Sequence, residues 1–356
     1  MKLLILTQKV DKNDPILGFF HRWTEEFSKH VEHIHIIALE VGEYDLPENV
    51  SVHSLGKEKL KAKSYKLKPF AKLKYIWRFY KYIFKFRKEY DSVFIHMNQI
   101  YVILGGLFWR LWNKKISLWY THKSTPLTLR LAEKITNTIF TASEESFRLN
   151  SEKVKIMGHG IDINKFTPDS KLKDENIFNI LSVGRLSPSK KHELIINSLT
   201  TIRDKIGDFK LSIVGDTVLE AEKTYKEDLK KLVKEQKMAD RIDFVGSVPP
   251  VEVIEYYQKA KVFVNVSETG SLDKVVLEAM ACGCIPVVSN EAFKEILFDK
   301  GLFADGSLLS ISEKIKKVYN MDERQRQFLA NDLRKIVVER HGLENLVNNL
   351  IEDFHG

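Results

Sequence analysis

The densest set of groups able to do chemistry is the stretch SETGSLDKVVLEAMACGCIPVVSN, from Ser267 to Asn290. A strand-like run ends near Ser267, and Thr269, Gly270 and Ser271 are small residues suited to a turn. A helix-compatible pattern then starts about Asp273 and stops at Gly283. The first N–H groups of a helix lack intrahelical acceptors and carry partial positive charge, so such a start attracts an anion. Gly270 allows the backbone to approach a ligand closely. Glu278, about one and a half turns into the helix, offers a carboxylate to sugar hydroxyls. A solvated or capping carboxylate is the plain alternative.

A second stretch, SVGRLSPSKKHELI from Ser182 to Ile195, follows the same strand-then-loop logic. The strand ends by presenting Arg185, Pro188 and Ser189 turn the chain, and Lys190 follows. A fork-shaped guanidinium beside a point-like ammonium suits a diphosphate. An ordinary charged loop opening a helix would have the same composition. HELII, within this stretch, lacks the second histidine of a zinc-protease helix.

The elements that must position these residues alternate in the rhythm of a parallel sheet. Strand-like runs lie at Leu3 to Thr7, Ile34 to Leu39 and Ser92 to Met97, then in KISLWY to Tyr120, NTIFTAS to Ser143 and VKIMGHG to Gly160. HGIDINKFTPDSKLKDEN breaks the pattern and reads as a linker. The rhythm restarts with NILSVGRL, KLSIVGD, RIDFVGSV, KVFVNVS and CIPVVSN, and Ser312 to Phe354 is helical and charged. No Gly-x-Gly-x-x-Gly follows the first strand, which argues against a dehydrogenase.

A chain of 356 residues with 44% hydrophobic and 11% aromatic content can bury a core in each of two domains. That composition excludes disordered and collagen-like proteins. Two cysteines, Cys282 and Cys284, make neither a disulfide framework nor a four-ligand zinc site, and read as small thiols packed behind the helix. The opening apolar run breaks at Thr7, Gln8 and Lys9, too short for a signal peptide. The longest uncharged apolar run, Ile100 to Trp109, is far shorter than a bilayer span. A soluble cytoplasmic protein is expected.

The net charge is +8, but Lys57 to Glu89 alone holds 13 Lys/Arg against two Glu, or +11, which leaves −3 for the rest. Helical spacing puts Leu73, Ile76, Trp77, Tyr80, Ile83 and Phe84 on one face and Lys74, Arg78, Lys81 and Lys85 on the opposite one. The apolar face is expected on the first sheet, with the lysines either merely solvated or turned toward an anionic membrane surface, the partner expected for this belt. No nucleic-acid-binding motif accompanies the charge, so no nucleic acid partner is expected.

Taken together with HGID at His159 to Asp162 and VGD at Val214 to Asp216, the two chemical stretches resemble the retaining nucleotide-sugar glycosyltransferases of the GT-B fold (glycosyl transferases group 1, family 4). The resemblance is dense from Val154 to Asn290 and thinner before it. It implies an α/β chain of two Rossmann-like doubly wound domains facing across a cleft. Residues 1–165 would form the acceptor-side domain, 166–338 the nucleotide-sugar domain, and 339–356 a helix returning to the first.

The same resemblance assigns roles. Arg185 and Lys190 look like the pair that binds the donor diphosphate and stabilises the leaving group. Glu278 looks like the second Glu of the Glu-x7-Glu element, which holds the donor ribose. Gly246, Ser247 and Val248 look like the nucleobase contact, and Gly184, Asp216, Gly270, Ser271, Leu272 and Asp273 complete the donor site. His122, in YTHK, falls where the family keeps a histidine near the transferred sugar, and Gly18 would sit below the diphosphate. His21, His96 and Asn98 are lesser candidates for the cleft. One departure stands out: the family's first Glu falls at Gly270, and Ser271, Leu272 and Asp273 replace the usual Gly-Phe-Gly. Glu268 or Asp273 would have to take over.

The implied activity is transfer of a hexose from a UDP- or GDP-sugar to a hydroxyl of a lipid-linked or surface-glycan acceptor. It would occur at the cytoplasmic face of the membrane, in polysaccharide biosynthesis, with the protein held there peripherally. No metal or other cofactor is expected, because Arg185, Lys190 and the helix start supply the positive charge. A nucleotide-sugar epimerase of the same fold and a degenerate, non-catalytic nucleotide-sugar binder are the rivals.

Overall fold

The computed structural model describes residues 1–14, 16–60, 68–174, 176–267 and 270–355. They divide into two compact units, Met1–Gly160 with Leu343–Gly356, and Ile161–Gly342. The divisions expected at 165 and 338 therefore fall at 160 and 342.

The first unit holds a seven-stranded parallel sheet of β1 (Lys2–Val10), β2 (His33–Val41), β3 (Val50–Ser54), β4 (Ser92–His96), β5 (Lys115–Trp119), β6 (Thr138–Thr141) and β7 (Val154–Ile156), in the order β3-β2-β1-β4-β5-β6-β7. Strand alternation gives each face its own core. Leu3 and Ile5 point to one side, Leu4 and Leu6 to the other. Helix α1 (Phe19–Ser28) covers the first side; α2 (Lys68–Lys85), α3 (Ile100–Leu111) and α4 (Leu127–Ile135) cover the second.

The basic helix α2 is seated differently from the sequence expectation. Phe79, Ile83 and Phe86 enter the core, whereas Leu73 and Trp77 are 64% and 62% exposed. Ile76 and Phe84 are also exposed, and Arg78 turns inward to donate to the Leu55 carbonyl at 2.8 Å. The apolar arc of this helix is wider than the sector the sheet covers, and the i, i+4, i+7 set Phe79–Ile83–Phe86 takes that sector. Residues 61–67 of the basic belt lie outside the described residues.

The second unit holds β8 (Phe178–Val183), β9 (Phe209–Val214), β10 (Ile242–Gly246), β11 (Val262–Asn265) and β12 (Ile285–Val288), all parallel in the order β10-β9-β8-β11-β12. Its helices are α5 (His192–Ile202), α6 (Glu222–Glu235), α7 (Val253–Lys259), α8 (Lys274–Ala281), α9 (Lys294–Leu297), α10 (Leu308–Tyr319) and α11 (Glu323–His341). The last helix, α12 (Leu343–His355), returns to the first unit. There Phe354 packs against Phe27, Phe94 and Phe140.

The segment read as a linker is largely built into the second unit. Ile161 is buried and bridges Gly342, and Ile163 and Phe166 lean on the core. Arg334 of α11 donates to the carbonyls of Phe166 (2.8 Å), Ile163 (3.1 Å) and Ala281. Those apolar residues recover burial that a free linker would forgo.

Candidate active site

Strands β8 and β11 are neighbours, yet the chain leaves them toward opposite edges of the sheet. Loops at such a switch point diverge and leave a crevice at the carboxyl ends of the strands. The loop after β8 carries Gly184, Arg185 and the single 3₁₀ turn Pro188–Lys190; the segment after β11 runs through Gly270–Asp273 into α8. Lys190 Nζ lies 3.3 Å from Asp273 Oδ1. The other carboxylate oxygen of Asp273 accepts from Ser267 Oγ and, at 3.4 Å, from Asn290 Nδ2. Asn290 Nδ2 also donates to the Ser271 carbonyl at 2.7 Å, pinning the turn before α8.

Three glycines let the strand ends approach one another. Gly184 N–H donates to Val214 O (2.9 Å), Gly215 N–H to Gly246 O (2.8 Å), and Leu186 N–H to Asp216 O (3.1 Å). A Cβ on Gly215, whose φ is +132°, would fall 2.0 Å from the Gly184 carbonyl oxygen. The stem of Lys190 runs past Gly184, where an added Cβ would already touch it at 3.7 Å.

Arg185 is held by a different carboxylate. Its Nε sits 3.1 Å from Oε1 of Glu222, a buried carboxylate that also accepts the N–H groups of Val218 (2.8 Å) and Leu219 (3.0 Å). Asp216 accepts Lys226 Nζ and the Thr217 N–H, both at 2.7 Å, and Lys226 holds it below the usual carboxylate range. Ser247 is exposed and Val248 leans on the core. Leu272 is buried, so its side chain belongs to the core and a ligand would meet its backbone instead.

Glu278 accepts a hydrogen bond from the Tyr257 hydroxyl at 3.1 Å and lies one turn beyond Lys274 on α8. Each keeps a solvent-facing edge but is ringed by protein. Burial pushes the Glu278 carboxyl up to about 7 against the pull of Lys274, and drives the Lys274 ammonium down to about 7. Cys284 donates to the Tyr257 carbonyl, and burial pushes both thiols up, Cys284 to about 12. These are packed thiols, as the sequence implied, and not nucleophiles.

In the first unit, His122 is exposed beyond β5. Its Nδ1 accepts the Ser124 N–H at 3.0 Å and lies 2.8 Å from Ser124 Oγ, which leaves Nε2 to carry the proton of the neutral ring. Gly18 opens α1 with φ −57°, and a Cβ there would meet the Asp14 carbonyl oxygen at 2.6 Å, so local packing demands the glycine. Of the lesser candidates, His96 is a core residue, 1% exposed, stacked 4.2 Å from Phe20 and 3.3 Å from Thr7 Oγ1. His21 bridges Glu25 and the Asp45 N–H, and Asn98 accepts from Ile100 N–H at the start of α3. Glu268 lies outside the described residues.

Sequence reasoning missed Tyr257, Asn290 and Glu222, which fix Glu278, the Ser271 turn and Arg185. None has a local motif. Lys274, four residues before Glu278, was legible as an i, i+4 partner. The arrangement is chemically an anion site: the Lys190 ammonium meets a carboxylate at the positive, N-terminal end of α8, and Arg185, held by Glu222, stands on the same loop as Lys190. Among the described residues there is no group of three or more His, Cys, Asp or Glu able to hold a metal ion.

Comparison with known proteins agrees with this geometry. Over 57% of its length the chain is 26% identical to the N-acetylgalactosamine-N,N'-diacetylbacillosaminyl-diphospho-undecaprenol 4-alpha-N-acetylgalactosaminyltransferase of Campylobacter jejuni, covering 56% of that protein. The chain spans about half the length of the curated relatives it matches. In fold, it matches Anabaena HepE, solved in complex with UDP and glucose, with a TM-score of 0.75 and 17% identity, all of both chains being covered. Sucrose-phosphate synthase from Thermosynechococcus elongatus matches with a TM-score of 0.78, again at 17% identity, over 100% of this chain and 98% of that one. Residues 164–334, which carry the Lys190–Asp273 crevice, match the family model for glycosyl transferases group 1. On that match residues 164–334 form a glycosyl transferases group 1 region, in a chain whose two Rossmann-like units have the GT-B fold.

Proposed function

We propose that this protein is a retaining glycosyltransferase. It moves a hexose from a nucleoside diphosphate sugar, a UDP-sugar first among them, to a hydroxyl of a lipid-linked or surface-glycan acceptor at the cytoplasmic membrane face. The observation that carries the reading is the meeting of Lys190 with Asp273 at the N-terminal end of α8, in the switch-point crevice of the unit the family model matches. The diphospho-undecaprenol in the Campylobacter relative's name and the UDP bound to HepE support the acceptor and donor classes.

In this reading the glycosyl–phosphate bond breaks with its electron pair going to the diphosphate. Lys190, Arg185 and the α8 N–H groups stabilise the growing negative charge, the task a divalent metal performs elsewhere. Lys190 exchanges Asp273 for phosphate oxygen, and Glu278 takes the ribose hydroxyls. The acceptor oxygen bonds the anomeric carbon from the face the diphosphate leaves, and its proton passes to the leaving phosphate. With Gly270 where the family's first Glu stands, Asp273, once released by Lys190, is the carboxylate for the sugar hydroxyls.

A thermal-shift panel of UDP-, GDP- and ADP-sugars tests donor binding, since a ligand that binds the folded state raises Tm. Transfer to a polyprenyl-diphosphate glycan, with the product anomer read by NMR, tests the reaction. Stabilisation by a donor without any transfer would establish the non-catalytic binder instead.

A further inference from the structure

Helices α2, α3 and α4 lie side by side on one face of the first sheet. The Phe84 ring is 5.0 Å from both Phe108 and Trp112, Tyr80 Oη donates to Leu104 O at 3.1 Å, and Gln99 Nε2 donates to Thr128 Oγ1 at 3.0 Å. Their inward sides share one core. Their outward sides expose large apolar groups: Leu73 and Trp77 on α2, Leu107 (66%) and Leu111 (71%) on α3, and Leu127 (78%) and Leu131 (52%) on α4. Scattered singly such residues would mean little, but three adjacent helices carrying them on one side form a patch.

The charge around the patch is almost all of one sign. From Lys68 to Ile135 the sequence holds 14 Lys/Arg and three Asp/Glu. All three acids are engaged: Glu133 accepts from Ser151 Oγ, Asp91 from the Lys2 N–H, and Glu89 sits 3.3 Å from His35 Nε2. Exposed Lys74, Lys81 and Lys85 flank the α2 residues, and Arg110 and Arg130 stand on α3 and α4. Lys81 Nζ lies 5.4 Å from the centre of the Trp77 ring, a cation beside an aromatic of the amphipathic kind found at bilayer interfaces. A second copy of this chain fits poorly, because a self-complementary interface would press this cationic face against itself.

We propose that the outer side of α2, α3 and α4 is a membrane-insertion face. Leu73, Trp77, Leu107 and Leu111 enter the acyl boundary of an anionic bilayer while the flanking lysines and arginines meet lipid phosphates. This deepens the membrane-side part of the functional proposal: attachment is by insertion across three helices, with the charge of one helix as an aid. It predicts a component of binding that salt does not remove.

The test uses the whole chain in co-sedimentation with phosphatidylglycerol-containing and neutral phosphatidylcholine vesicles, at low salt and at salt high enough to screen surface charge. Wild type should prefer the anionic vesicles, weaken with salt, and retain measurable binding at the high value. Replacing Leu73, Trp77, Leu107 and Leu111 together by Ser should cut the high-salt partition coefficient by at least about tenfold. Circular dichroism and Tm serve to show that the variant is folded. Lys74→Gln, Lys81→Gln and Lys85→Gln combined should weaken low-salt binding and spare the high-salt residue. Equal high-salt binding by wild type and the serine variant, or no binding to either vesicle, would overturn the proposal. So would concentration-dependent dimerisation of wild type that the serine variant abolishes. Vesicle binding is read without any transfer reaction, so an inactive protein that still inserts refutes the transferase reading alone.

Discussion

The Lys190 ammonium stands 3.3 Å from a carboxylate oxygen of Asp273, 83 residues further along the chain. Their side chains are only 19% and 13% exposed, so the pair is shielded from water more than a surface ion pair. An incoming diphosphate must compete with Asp273 for the same ammonium.

Lys190→Ala and Asp273→Asn should therefore act in opposite directions on nucleotide affinity. The lysine variant loses the group that meets growing phosphate charge, and transfer should fall about 10²–10³-fold. The asparagine variant removes the competing charge, and UDP should bind roughly fivefold tighter, about 1 kcal/mol. Transfer should nevertheless fall in that variant, since the carboxylate assigned to the sugar is gone. Calorimetric UDP affinities alongside turnover check both halves, and unchanged UDP affinity in both variants would remove Lys190 from the site.

Glu278 should leave a mark on the pH dependence of stability. Burial raises its carboxyl from an ordinary 4.5 to about 7, so between those values the folded chain binds more protons than the unfolded one. Stability then falls as pH rises through that window. Lys274, lowered from 10.5 to about 7, binds fewer protons when folded, and its share of stability returns as pH climbs above 7. Glu278→Gln keeps an acceptor for Tyr257 and should abolish the fall below pH 7, an effect on the order of 1–2 kcal/mol. Urea midpoints of both proteins across that range settle the matter.

Two glycines that look alike in the sequence should differ sharply. Gly215→Ala combines a left-handed φ with a Cβ 2.0 Å from the Gly184 oxygen, and should cost about 3 kcal/mol or more. Gly246→Ala has φ +86° but no heavy atom within 4 Å of its Cβ, and should cost about 1–2 kcal/mol. Chemical unfolding measures both; equal costs would mean that the strand ends are not as tightly laced as the hydrogen bonds indicate.

The proposed charge stabilisation by Arg185, Lys190 and α8 carries a prediction about metals. Turnover should survive EDTA nearly unchanged. Abolition by chelator with rescue by Mg²⁺ or Mn²⁺ would assign the leaving-group charge to a metal instead.

Much of the fold is legible residue by residue. Eleven of the strands in the two sheets coincide with apolar, β-branched runs seen in the sequence, because parallel strands are covered on both faces and read as nearly continuous apolar stretches. The exception is β3, Val50–Ser54, an edge strand whose five residues are all half-buried and alternate with polar groups.

By itself the sequence determined the residue types of the proposed donor-side site, the turn-to-helix start before Lys274, and the two α/β halves. These depend on periodicity, glycine freedom and helix starts, all set by near neighbours in the chain. Tertiary structure alone decided that Lys190 meets Asp273 while Arg185 meets Glu222, and that Tyr257 and Asn290 hold Glu278 and the Ser271 turn. These contacts follow from strand order, which sets β8 between β9 and β11 and β11 beside β12, and strand order is a property of the whole sheet. The seating of α2 was decided in the same way. Helical period marks a wide apolar arc, but the sheet can cover only one sector of it, so Phe79, Ile83 and Phe86 went inside and Leu73 and Trp77 were left facing out.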